Sequence, residues 1–269
     1  MNLLILIAVL TPLGVSNFII KNAIKMLYQQ QVIRECTEQI EAKPKNPNHY
    51  FNRAQAYKEI GDYNAAIADL TRAIHMSPNS PQAYLLRGTI YYNLKDYQNA
   101  SRDFSAAVRI KADYADAYIL RGNIHRKIGE LPLAIADASA AISYAPDDVQ
   151  AYVLRGKCQQ DLGNCDYAIE DYSKAIQINP NYANAYYFRG NCYHSVDQDG
   201  EAIEDYQKAV KIAPDSYSGR LAIQRLKNLG ADIVSPETPK RAIDVFRPKI
   251  PSKAIKKHFV KIWSEVTKR

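Results

Sequence analysis

An all-α solenoid of stacked helix-turn-helix repeats is the fold class the sequence predicts, on three observations. AYLLRG at residues 83–88 returns as AYILRG at 117–122, AYVLRG at 151–156 and AYYFRG at 185–190, with a weaker forerunner, HYFNRA, at 49–54. Its arginine recurs as Arg53, Arg87, Arg121, Arg155 and Arg189, each 34 residues after the last, and a fixed period of that length marks a repeat array. Within each period two apolar helical stripes are separated by a turn signal and closed by Pro78, Pro146, Pro180 or Pro214, with Ala112 the exception.

Residues 1–21 come first. The stretch 3–20 holds 18 uncharged residues and is followed by Lys21 and Lys25, which meets the length of a membrane span although Pro12, Gly14, Ser16 and Asn17 interrupt it. With positive charge only on its C-terminal side, a span here leaves the chain membrane-associated with its repeats facing the cytoplasm. Two other readings stay open. Residues 1–16 resemble an export signal without its basic start, and residues 3–20 also fit a degenerate first helix packed on residues 32–40 of a soluble cytoplasmic protein. Residues 22–46 form a degenerate partial repeat, since VIRECTEQIEAKPKN at 32–46 aligns with AIADLTRAIHMSPNS at 66–80.

Five tandem units follow over residues 47–214: 47–80, 81–114, 115–148, 149–182 and 183–214. In each first helix, Tyr at position 4 (Tyr50, Tyr84, Tyr118, Tyr152, Tyr186) and Gly or Ala at position 8 (Ala54, Gly88, Gly122, Gly156, Gly190) share a face. A glycine inside a helix costs about 1 kcal/mol relative to alanine, so its recurrence predicts a close helix approach. The turn carries Gly61, Gly129 and Gly163 at position 15, where Lys95 and Asp197 depart. The second helix has Ala at 20 and 27 around a varying position 24 (Leu70, Phe104, Ala138, Tyr172, Tyr206), a small-large-small stripe that accepts a neighbouring helix.

Gly at 8, Tyr at 11 (Tyr57, Tyr91, Tyr193), Ala at 20, an aromatic at 24, Ala at 27 and Pro at 32 resemble the tetratricopeptide repeat, whose period is also 34 residues. The resemblance covers residues 47–214 and implies a right-handed superhelical solenoid. Tyr and Arg stand where the family often has Trp and Leu at 4 and 7, and His125 and Gln159 depart at 11, which predicts looser packing there in the third and fourth units. Residues 215–230 read as a capping helix without Gly/Ala sockets, begun by Asp215 or Ser216 and stopped by Gly230. Residues 231–251, with four prolines, read as a linker, and residues 252–269 as a basic amphipathic helix, with Ile255, Phe259, Ile262 and Val266 on one face against Lys253, Lys256, Lys257 and Lys261.

The resemblance also implies that first helices line a concave groove taking a protein or peptide partner. Carried over by position, the candidates are Phe51, Leu85, Ile119, Val153 and Tyr187 at 5; Gln55, Thr89, Asn123, Lys157 and Asn191 at 9; and Lys58, Tyr92, Arg126, Gln160 and His194 at 12. Together they describe an apolar belt flanked by amides and a few bases. Family members that grip chaperone tails use a Lys/Asn carboxylate clamp; the corresponding positions here hold Phe51 with Gln55, Leu86, and Asp116 with Leu120, which argues against that ligand.

Nothing in the chain reads as catalytic, cofactor-binding or metal-binding. No Gly-rich phosphate loop or nucleophile elbow occurs, and the histidines form no metal spacing. Asp69, Asp103, Asp137, Asp171 and Asp205 recur once per unit at position 23, as the arginines do at 7, so they predict a repeated Arg–Asp joint rather than one active site. Cys158 and Cys192 share a repeat position, which reads as buried packing. The net charge of +7 resides in the tail: residues 230–269 hold ten Lys/Arg against four Asp/Glu, the rest twenty-five against twenty-four. A tail of that sign makes nucleic acid the rival partner class, although the nearly neutral repeat body argues against it. The partner's identity and the oligomeric state are not legible in the sequence.

Overall fold

A computed structural model describes residues 17–233, with side chains from residue 21 onward. Residues 3–16, nearly all of the linker at 231–251 and the basic segment at 252–269 lie outside the described residues. Among those described, the fold is all-α: α1 (Asn17–Ala42), then α2 (Pro47–Ile60) and α3 (Tyr63–Met76), α4 (Pro81–Asn93) and α5 (Tyr97–Ile110), α6 (Ala115–Lys127) and α7 (Leu131–Tyr144), α8 (Val149–Asp161) and α9 (Cys165–Ile178), α10 (Ala183–Ser195) and α11 (Asp199–Ile212), and finally α12 (Tyr217–Asn228). The helices pack as sequential antiparallel pairs, each on the next, which is the expected tetratricopeptide solenoid.

In units two, four and five the position-8 glycine is set by the ring at position 24. A Cβ on Gly88 would come 2.7 Å from Phe104, on Gly156 2.8 Å from Tyr172, and on Gly190 2.9 Å from Tyr206. These rings are fully buried, so glycine is the only residue that lets them lie against the opposing backbone. In the first unit Leu70 replaces the ring and Ala54 fits.

The turns obey backbone sterics. Gly61, Gly129 and Gly163 adopt φ of 80–85°, and Lys95 and Asp197 take the same left-handed conformation at 63° and 60° without being glycine. The turn is therefore uniform and the sequence is not; a side chain in this conformation costs about 1 kcal/mol or more.

A helix extends the array at each end. α1 is one continuous helix of 26 residues. Its second half takes the place of a second repeat helix, with Cys36 buried under the Leu70 position and Thr37 under Thr71. Residues 17–20 form its first turn, and the rest of the segment expected to pack on residues 32–40 lies outside the described residues; residues 17–42 have no Gly or Pro to turn the helix. No helix of the described residues is long and apolar enough to cross a membrane. At the other end Ser216 caps α12 by accepting from the Gly219 amide at 3.0 Å, and Gly230 ends it at φ 65°. Gln224 stands at position 8, where each repeat has Gly or Ala, while Ala222 is buried and a Cβ on Gly219 would meet the Ala213 carbonyl oxygen of the preceding turn.

Candidate functional site

Every unit contains the same joint, and it occupies the arginines. Arg87 donates through Nε and Nη2 to both Asp103 oxygens at 2.8 Å, and the four homologous pairs are likewise bidentate, at 2.6–3.2 Å. The third nitrogen, Nη1, reaches back to a hydroxyl on the preceding unit's second helix: Arg53 to Thr37, Arg87 to Thr71, Arg121 to Ser105, Arg155 to Ser139 and Arg189 to Ser173, at 2.8–3.3 Å. One guanidinium thus ties three helices from two units. The hydroxyl at position 25 was readable as a periodic Thr/Ser but meant nothing without the fold. The position-4 tyrosine lies against the same guanidinium, 5.4–5.9 Å from ring centre to Cζ. Hydrogen bonding to aspartate raises each arginine's pKa, and with the five aspartates buried these groups are structural.

The expected groove residues divide sharply. Ile119, Val153 and Tyr187 are 6%, 4% and 7% exposed, and Phe51 and Leu85 are half-buried against neighbouring core clusters. The expected apolar belt is therefore mostly packing, because the next unit's first helix covers it. Of the position-9 residues, Thr89 donates to the Leu85 carbonyl and Asn123 to the Ile119 carbonyl, while Asn191 accepts from the Tyr206 hydroxyl at 2.9 Å. Gln160 likewise accepts from Tyr172 at 3.0 Å, so the amides satisfy buried phenols. Tyr92 leans on Tyr97, with ring centres 5.7 Å apart, and burial raises its pKa. His194 Nδ1 stands 2.5 Å from Asp199.

What remains for a ligand centres on α6 and α8. Arg126 binds Asp161 through two hydrogen bonds of 2.7 and 3.2 Å, joining the first helices of units three and four. Lys157, one turn before Asp161, places its ammonium 4.3 Å from the Phe188 ring centre and has no carboxylate at ion-pair distance among the described residues. Burial lowers its pKa first and the Arg126 charge second, with Asp161 opposing. Asp161 and Phe188 were not among the expected residues; Asp161 lies 35 residues from Arg126, so no motif linked them. A second concavity, a cleft of about 470 Å³, separates α1 from α2 and is lined by Tyr28, Val32, Cys36, Gln39, Gln55 and Lys58. It brings two expected residues, Gln55 and Lys58, together with a helix that the repeat pattern could not supply. Among the described residues no three His, Cys, Asp or Glu side chains converge as metal ligands.

Comparison with known proteins accords with this geometry. Family models described as "Tetratricopeptide repeat" match residues 51–115, 115–148 and 183–216, and one described as "TPR repeat" matches residues 160–197. No curated protein matches the chain. Among solved structures, YrrB, described as a TPR protein with an unusual peptide-binding site, superposes with a TM-score of 0.58 at 24% identity, covering 70% of this chain and 97% of its own. MamA superposes at 0.57 with 26% identity, covering 62% and 91%, and MamA from Desulfovibrio magneticus RS-1 at 0.58 with 24% identity, covering 63% and 97%. Period, helix pairing, sockets and family matches agree, and the chain belongs to the tetratricopeptide repeat family.

Proposed function

We propose that the protein is a non-enzymatic scaffold that binds a protein or peptide along its first helices, reading an acidic side chain with Lys157 and Arg126 at the junction of units three and four. The observation that carries this reading is the Lys157 ammonium, half-buried over Phe188 and lacking a carboxylate partner among the described residues. A half-buried ammonium whose charge is opposed by burial, beside an Arg126 already bonded to Asp161, gains from an incoming anion. The peptide-binding site in YrrB's description lends the reading general support. Displaying a random peptide library against the full chain should enrich sequences containing Asp or Glu, and their binding should fall on Lys157→Glu. Enrichment without acidic residues, or equal binding by the variant, would sink it.

The uncharged stretch at 3–20, followed by Lys21 and Lys25, supports tethering to a membrane, with the repeats serving there as an assembly platform for a multiprotein complex. Fractionation of cells carrying the full chain and a deletion of residues 1–20 tests this: the first should sediment with membranes and resist carbonate, and the second should not.

A further inference from the structure

The second helix of the third unit differs from its four counterparts. α3, α5, α9 and α11 each present exposed charge, such as Arg72, Arg102, Glu170 and Glu204. α7 contains one charged residue, Asp137, and that is buried against Arg121. Its outer face carries Pro132, Leu133, Ala136 and Tyr144, with Ile128 just before it; Leu133 is 51%, Ile128 52% and Tyr144 49% exposed. Spacings of four and eight put Pro132, Ala136 and Ala140 on one stripe. Apart from the exposed Ser143 in its last turn this face is apolar, and an uncharged apolar face on a charged protein marks an association surface.

The flanks point to the occupant. On the N-terminal side α5 exposes Arg102 and Arg109, and on the C-terminal side α9 exposes Asp166 and Glu170, with Lys174 one turn beyond, none of them ion-paired among the described residues. Arg102, Ala136 and Glu170 are 34 residues apart and so occupy equivalent points on three parallel helices. A two-fold axis running along α7, in the plane of contact, sets Ala136 against Ala136 of a second copy and Arg102 against its Glu170, twice over. An axis across α7 would instead set Arg102 against Arg102, and like charges oppose that. Arg102 and Glu170 on either side of an apolar centre are self-complementary in the first orientation and not in the second, and Lys174 meets Ala106 of the second copy in the first.

We propose that α7 is the centre of a two-fold interface between two copies of this chain. One helix face with two flanking pairs makes a small contact, so the dimer forms and dissociates with concentration.

Sedimentation velocity of the full chain over a dilution series should reveal a monomer–dimer equilibrium. Ala136→Glu, at an exposed helical position, should retain helical circular dichroism and abolish the dimer. Arg102→Glu and Glu170→Arg should each weaken it about tenfold, since each disrupts a pair that occurs twice. The double reversal should restore it, and the two single variants should pair with each other in preference to themselves. A chain that is monomeric throughout, a dimer indifferent to Ala136→Glu, or a double reversal as weak as the singles would overturn the proposal; the first would assign the face to a different protein.

Discussion

Units three and four close the same joint by different means. In unit four the Tyr172 ring fills the socket over Gly156 from within the unit, and its hydroxyl ends on Gln160. In unit three Ala138 leaves that socket empty, and Leu154 from the next unit enters it, 2.9 Å from where a Gly122 Cβ would lie. Leu154 is 2% exposed, whereas its counterparts Leu86 and Leu120 are half-buried. The expectation of looser packing at position 11 is answered locally: His125 is half-buried with Nδ1 3.0 Å from Asp137, and Gln159 accepts from Asn164. His125 Nδ1 nonetheless makes no well-aligned hydrogen bond, a defect that unit four lacks. One unit is self-sufficient and the other borrows from its neighbour. Filling the socket matters; which helix fills it does not.

The largest test of that comparison is Tyr172→Ala, which empties unit four's socket beside Phe188, the counterpart of Leu154, whose ring stacks on Tyr172 with centres 5.8 Å apart. It should destabilise the array by about 4 kcal/mol in urea denaturation, the scale of a large-to-small change at a buried aromatic. A loss below about 1 kcal/mol would mean that unit four also borrows. Next, Arg121→Ala leaves Asp137 buried beside His125 and should cost about 3 kcal/mol, seen as a lower melting temperature. Arg155→Ala removes the same joint from unit four; an unchanged melting temperature in both would show that the three-helix tie is dispensable. Ala138→Phe restores the family's ring but meets Leu154, and overpacking of this kind costs about 2 kcal/mol. Adding Leu154→Ala should recover most of that loss, as a double-mutant cycle would read. The smallest effect separates the turns: Lys95→Gly relieves a left-handed side chain and should stabilise by about 1 kcal/mol, whereas Gly129→Lys, at φ 84°, should do the reverse.

Thiol chemistry checks the core between units. Burial pushes the Cys158 thiol up to about 11 and Cys192 up to about 12, so neither ionises near neutral pH and both should resist alkylation until the chain unfolds. Cys165, half-buried at the start of α9, should label first.

The repeat units were legible because each repeats one set of steric demands. Tyr at 4, glycine at 8 and alanine at 20 and 27 recur wherever two helices must approach closely, so period and residue size together predicted the pairs and the Arg–Asp joint. The ends were less legible. No periodic signal distinguishes a helix that continues, as α1 does, from one that turns, and α12 has Gln224 at position 8 where the repeats carry their small residue. Which of the expected groove residues stay exposed was not legible. Ile119, Val153 and Tyr187 look like a binding belt in one dimension, yet the stacking of consecutive units buries them.

The sequence by itself determined the helices, their pairing and the residues of the joint, because these follow from local periodicity and from side-chain size at fixed spacing. Only the tertiary structure decided which side chains remain available. Whether Lys157 keeps an unpaired charge, whether Asn191 is consumed by a tyrosine, and whether α7 faces outward without charge all depend on contacts between residues distant in the chain. Burial and charge pairing are sums over such neighbours in space, and a linear pattern does not contain them.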